Sequence, residues 1–107
     1  MTRMVTYIRF RLRKPLRQLL SKGVVATIRG CKWYREGRVV EVLDRGYRKV
    51  CEACITRVEP FSEDGVRKWW VVSGFESPRE WLESARRMYR SLDGKCIVVL
   101  VVRGHEG

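Results

Sequence analysis

Apolar and polar positions alternate through Val24-Val25-Ala26-Thr27-Ile28-Arg29, with Val24, Ala26 and Ile28 on one side and Val25, Thr27 and Arg29 on the other. This period of two predicts a strand, and Gly23 and Gly30 mark its ends. Met4–Leu12 shows the same alternation. There, Ile8, Phe10 and Leu12 form a face for the core, and Arg9, Arg11 and Arg13 form an outward row. Lys14–Lys22 reads as a short helix: Pro15 suits its first position, Leu16, Leu19 and Leu20 make an apolar stripe, and Gly23 suits its C-terminal cap.

Beyond Gly30, Cys31–Gly37 reads as a loop and Arg38–Leu43 as a strand. Asp44-Arg45-Gly46 is a turn, and Tyr47–Phe61 is a longer strand or bent pair stopped by Pro60. Ser62-Glu63-Asp64-Gly65 reads as a polar turn, and Trp69, Trp70, Val71 and Val72 as core with one indole at a surface or cleft. Ser77-Pro78-Arg79-Glu80 opens a second helix with a capping box. Trp81, Leu82, Ala85, Met88, Tyr89 and Leu92 then face the core, and Asp93-Gly94 ends the helix. Ile97–Val102 is an unbroken apolar run, as in a strand buried on both faces. The tail 104–107, with His105, reads as a disordered end. The order predicts a single α+β domain over residues 1–107, a small barrel of about six strands with two flanking helices.

Charge adds a direction to this frame. The net charge is +11, and residues 1–38 hold eleven Lys and Arg against Glu36 alone, a balance of +10. A cationic excess concentrated in one third of the chain predicts a polyanion-binding face, with nucleic acid as the polyanion. No signal peptide or membrane span is visible, so a cytoplasmic protein with no membrane partner is expected. The chain contains no Asn and is rich in arginine, a composition resembling a thermophile's.

Cys51 and Cys54 form a C-x-x-C, and Cys31 and Cys96 would complete four thiols. A spacing of three within a strand sets Cys51 and Cys54 on opposite faces, against a zinc site. The four are therefore read as buried small hydrophobes, with a disulfide open if the source is a hyperthermophile. No metal and no cofactor is expected.

Several of these pieces, in this order, resemble the ASCH family of the PUA-like superfamily. They are an initial strand, a helix ending at a glycine turn, the Thr27-Ile28-Arg29 triplet, Gly37 opening the next strand, Gly74-Phe75-Glu76-Ser77 leading into the Glu80-Trp81-Leu82 helix, and Tyr89 near that helix's end. The resemblance covers about residues 5–103 and implies a PUA-like β-barrel. It also implies a nucleotide-sized cleft lined by the Thr27 strand, the loop after it and the segment before the capped helix. ASCH domains are expected to bind RNA or nucleotides, and some hydrolyse the acetyl-amide of modified cytidine. In those hydrolases a lysine, the threonine and a glutamate do the work. Here Thr27 matches, whereas the lysine position holds Val24 and the glutamate position Ser73. A threonine with no base to take its proton is a poor nucleophile.

The expected function is therefore binding of RNA or single-stranded nucleic acid. Arg9, Arg11, Arg13, Lys22, Arg29, Lys32 and Arg35 are expected to neutralise phosphates. Trp33 and Tyr34 would stack on a base, or one of them anchor the core. Thr27 and Ser73 would offer hydrogen bonds in the cleft. One alternative is an amidohydrolase for acylated cytidine in which Lys22 or Glu76 substitutes for a missing group. Another is a ribonucleoprotein component docking on structured RNA.

Overall fold

The computed structural model describes residues 6–103. In chain order these form β1 (Tyr7–Arg9), α1 (Arg13–Lys22), β2 (Val24–Gly30), β3 (Val39–Leu43), β4 (Lys49–Pro60), α2 (Glu63–Trp69), α3 (Pro78–Met88) and β5 (Lys95–Val102). Single 3-10 turns follow β2 at Cys31–Trp33 and α2 at Trp70–Val72. The strands build one sheet in the order β1-β3-β4-β5-β2, parallel between β1 and β3 and antiparallel elsewhere. The sheet curls into a half-barrel, and the fold is mixed α+β.

The alternation of β2 divides the protein into two cores. Val25 points inside the curl, where it joins Ile8, Phe10, Val40, Leu100 and Leu19 of α1. Ala26 and Ile28 point to the outer side, where α2 and α3 press Val66, Trp81 and Ala85 against the sheet. The apolar run of β5 serves both cores, Val98 and Leu100 inside and Ile97 and Val99 outside. Each such side chain, fully buried, contributes about 1.5–3 kcal/mol of hydrophobic stabilisation.

Five strands and three helices stand where about six and two were expected. The extra helix, α2, replaces the expected polar turn. The Ser62 hydroxyl accepts from the Gly65 N–H at 2.9 Å, and Glu63 and Asp64 occupy the first turn, where the helix dipole favours negative charge. Gly65 lets this turn pack closely on β5, since a Cβ there would come within 2.8 Å of Ile97 Cδ1 and push that side chain aside. The third helix starts as predicted, with the Ser77 hydroxyl accepting from Glu80 N at 3.0 Å. Its Glu80 carboxylate, however, takes the N–H of Glu76 at 3.2 Å and the ammonium of Lys14 at 2.9 Å, tying α3 to the start of α1. The helix stops at Met88 and not at Asp93-Gly94, because Tyr89 turns extended and lays its ring under the Lys95 ammonium, 4.6 Å away.

Two further expectations are corrected. The outward arginine row does not form, since β1 keeps only Tyr7–Arg9 as a strand against β3 and Arg13 already opens α1. Met4 and Val5 of the expected first strand, and the tail 104–107, lie outside the described residues. Cys31 and Cys96 are not separate buried thiols but a disulfide, their Cα atoms 5.2 Å apart across 65 positions of sequence. It ties the turn after β2 to the first residues of β5. Cys51 and Cys54 remain thiols; Cys51 packs toward the inner core, and burial pushes its pKa up.

Gly74 fixes the loop that enters α3. Its φ of 90° lies in the left-handed region, and a Cβ would fall onto the Lys14 carbonyl at the start of α1. The approach seats Phe75 between α1 and α3. Gly74→Ala is expected to cost more than about 2 kcal/mol, the left-handed penalty plus the clash, read as a lower urea midpoint. Replacing both Cys31 and Cys96 by serine is expected to cost about 2–4 kcal/mol. An unchanged midpoint at constant denaturant slope would contradict the cross-link's contribution.

Candidate nucleic-acid interface

The curl leaves β1 and β2 as the two outer strands of the sheet, and Arg29 near the end of β2 spans the gap between them. Its Nη1 donates to the Arg9 carbonyl of β1 at 2.7 Å, its Nε donates to Thr27 Oγ1 at 3.1 Å, and its guanidinium lies 4.8 Å from the centre of the Phe10 ring. The β2 alternation produces this arrangement, since Thr27 and Arg29 are two apart on one face. Burial pushes the Arg29 pKa below its ordinary value, with only tyrosines, Tyr34 and Tyr89, acting in the other direction.

A cleft opens beside this bridge, between the β1–α1 link, β2 and α3. Phe10, Pro15, Ala26, Ile28, Phe75 and Trp81 form its apolar walls. Thr27, Arg29, Arg11, Ser84 and Tyr89 bring polar groups, and Leu12 and Met88 lie at its rim. Arg11 and Arg29 are the charged residues of this lining; it includes no carboxylate. Its free volume is about 30 Å³, enough for roughly two waters and well short of the nucleotide-sized cleft expected. A shallow groove continues from the mouth along Arg13, Lys14, Glu80, Glu83, Ser84 and Arg87, with Glu80 paired to Lys14 and Glu83 to Arg79. Arg13 and Arg17 border a second hollow on α1.

The expected site residues separate into groups. Thr27, Arg29 and Arg11 meet in the cleft, with Arg13 in the adjoining groove. Tyr34 is partly buried against the inner core close to Arg29, and burial raises its pKa above 10.0. Trp33 beside it is 63% exposed, with the Lys32 ammonium 5.0 Å from its ring. The pair thus divides, one ring for the core and one for solvent. Arg35 is exposed on the loop that follows.

Three residues fall elsewhere. Arg9 is committed to the β3–β4 turn: Nε and Nη2 donate to the Arg45 carbonyl at 3.1 and 2.7 Å, Nη1 donates to the Tyr47 hydroxyl at 2.9 Å, and the guanidinium stacks 4.0 Å above that ring. Lys22 ends α1, whose ten residues place it about 15 Å from the cleft end of that helix. Ser73 does not reach the cleft. It is fully buried, donating to the Trp70 carbonyl at 2.7 Å and accepting from Phe75 N at 3.1 Å. Glu76 is also outside the cleft lining. Phe10, Phe75, Ser84, Arg87, Met88 and Tyr89 were not singled out as site residues. Two signals in the sequence pointed to them: the segment before the capped helix, which holds Phe75 and was expected to line the cleft, and the wide apolar stripe of α3, which includes Met88 and Tyr89.

Comparison with known proteins adds little to this geometry. No family model matches the sequence, and no curated protein matches it. Among solved structures, the crystal structure of protein EF3133 from Enterococcus faecalis V583, assigned to the family DUF984, is similar over 98% of this chain and 87% of its own. The two are 15% identical, with a TM-score of 0.45. The class that the fold defines is an α+β half-barrel with a small, cation-rimmed cleft. Among the described residues no helix is long and apolar enough to cross a membrane.

Tyr34 supplies a test of the packing around this cleft. A tyrosine whose folded pKa is raised gives stability that is fully present below 10.0 and is lost as pH rises past it, because the folded state holds the proton more tightly than the unfolded chain. Unfolding free energy is expected to fall above that pH in the natural protein and to fall less in Tyr34→Phe. Equal slopes in the two would contradict the burial.

Proposed function

We propose that this protein binds RNA or single-stranded nucleic acid through the cationic rim of the cleft, as a PUA-like domain of ASCH type in the cytoplasm. The unpaired cations that border the cleft and the hollows next to it carry the reading. The ion pairs among the described residues engage Lys14, Lys49, Arg57, Arg67, Arg79 and Arg103. Arg11, Arg13, Arg17, Lys22, Lys32 and Arg35 are in none of them and are available to a polyanion, whereas Lys14 is paired and Arg9 and Arg29 donate to backbone carbonyls. Arg11, Arg13, Arg17 and Arg87 border the cleft or the hollows next to it. Unpaired arginines spaced along a surface neutralise successive phosphates, and the exposed Trp33 ring offers a stacking platform at the end of β2.

The amidohydrolase alternative receives less support. Lys22 and Glu76 were the residues able to rescue a catalytic site, and neither lines the cleft that holds Thr27. The Thr27 oxygen accepts from a guanidinium, with no carboxylate or lysine in the lining to take its proton.

Binding measured by fluorescence anisotropy is expected to weaken steeply with salt, and Arg13→Gln with Arg17→Gln to lower the log–log slope by about 2. No binding to RNA or DNA at low salt would overturn the proposal. Trp33→Ala is expected to weaken single-stranded binding by about 1–3 kcal/mol while leaving the thermal midpoint nearly unchanged. A large loss of stability would instead assign Trp33 to the fold.

A further inference from the structure

We infer that the cleft beside Arg29 is a receptor for a terminal phosphate, so that the protein recognises the phosphorylated end of a nucleic-acid strand. This rests on the nucleic-acid reading above and adds which part of the strand enters the cleft.

Size comes first. A free volume of about 30 Å³ is too small to enclose a base or a sugar, so small polar groups such as phosphoryl oxygens are what can reach Arg29 through the mouth. A phosphate inside a strand carries ester links that leave in two directions, so it must lie along an open groove. A terminal phosphate has one link and three free oxygens, so it can present those oxygens to a small hollow while the rest of the strand stays outside.

Chemistry points the same way. The Arg29 guanidinium spends Nε on Thr27 and Nη1 on the Arg9 carbonyl, and Nη2 makes no hydrogen bond among the described residues. A part-buried cation with no carboxylate in the same lining gains from an anionic ligand, and a guanidinium holds phosphate oxygens with charge-assisted hydrogen bonds. Thr27, Ser84 and Tyr89 add hydroxyls in the same lining, and Arg11 stands at its edge. A terminal phosphomonoester carries about −1.5 to −2 charges near neutral pH, against one for an internal diester. It is thus the better match to a pocket that offers two cations and no carboxylate. Outside the pocket, Leu12 and Met88 are 39% and 41% exposed. They give an apolar ledge for the terminal nucleoside, and in the adjoining groove, where Glu80 and Glu83 are paired with Lys14 and Arg79, the unpaired Arg13 and Arg87 are placed to meet the next phosphates.

The test compares one short single-stranded RNA in three forms: 5′-phosphorylated, 3′-phosphorylated and without a terminal phosphate. Binding of each to the full chain is measured at one salt concentration. At least tenfold tighter binding of one phosphorylated form supports the inference and names the end recognised. Equal affinity for all three overturns it while leaving nucleic-acid binding in place, and no binding by any of them overturns both. A nucleoside monophosphate is added as competitor. If it binds but strand phosphorylation brings no gain, the pocket serves free nucleotides and recognition of strand ends is overturned. Thr27→Val and Arg11→Gln, the second on the surface and outside the core, are each expected to shrink the ratio of phosphorylated to unphosphorylated affinity severalfold. An unchanged ratio in both variants would contradict the assigned site.

Discussion

The positive charge in the cleft depends on one side-chain bridge between the two outer strands of the half-barrel. A sheet curled without closing leaves unpaired backbone groups along both edges, and here one guanidinium spans part of that seam. Arg29 reaches from β2 to the Arg9 carbonyl of β1, rests on Phe10 and holds the Thr27 hydroxyl. A single such bond contributes little beside the hydrophobic cores. Its position matters more, because it sets a positive charge in the lining of the cleft. The residue that completes the fold also defines the electrostatics of the cleft.

The surrounding elements converge on the same spot. Gly74 lets the loop before α3 rest on the first turn of α1, and the Lys14–Glu80 ion pair joins those helices beside it. That pair is exposed, so it orients the helices more than it stabilises them. The Cys31–Cys96 bridge anchors the turn that carries Lys32 and Trp33. Cleft, ledge and stacking ring are therefore held by backbone packing and a covalent link, with few mobile parts. A phosphate-binding surface benefits from such rigidity, since ordering long arginine side chains already costs entropy.

Elements with a strong local pattern were legible in the sequence. The two faces of β2, the doubly buried β5 and the Ser77 cap of α3 follow from spacing alone, and each is present. Helix α2 was missed because its seven residues are too few for a period to show, although Ser62 with Glu63 and Asp64 carried the marks of an N-terminus. The arginine row failed for a different reason. Alternation predicts a strand only as far as a partner strand pairs with it, and β3 pairs with three residues of β1. The site was legible in Thr27 and Arg29, which share a strand face. Phe10, Phe75 and Tyr89 come from three separate segments, and no local pattern could announce their meeting. The same holds for Cys31 and Cys96, and for Ser73, whose hydroxyl is consumed by its own turn.

Where nucleic acid sits on this protein can be read from the amide chemical shifts of the isotope-labelled chain titrated with a short single-stranded RNA. With binding at the cleft and its rim, the perturbed signals are expected to centre on Arg11, Arg13, Thr27, Arg29, Tyr89 and the Trp33 indole, and to diminish as salt is raised. Perturbations confined to the outer surface of α2 and α3, around Arg67 and Arg86, would contradict it.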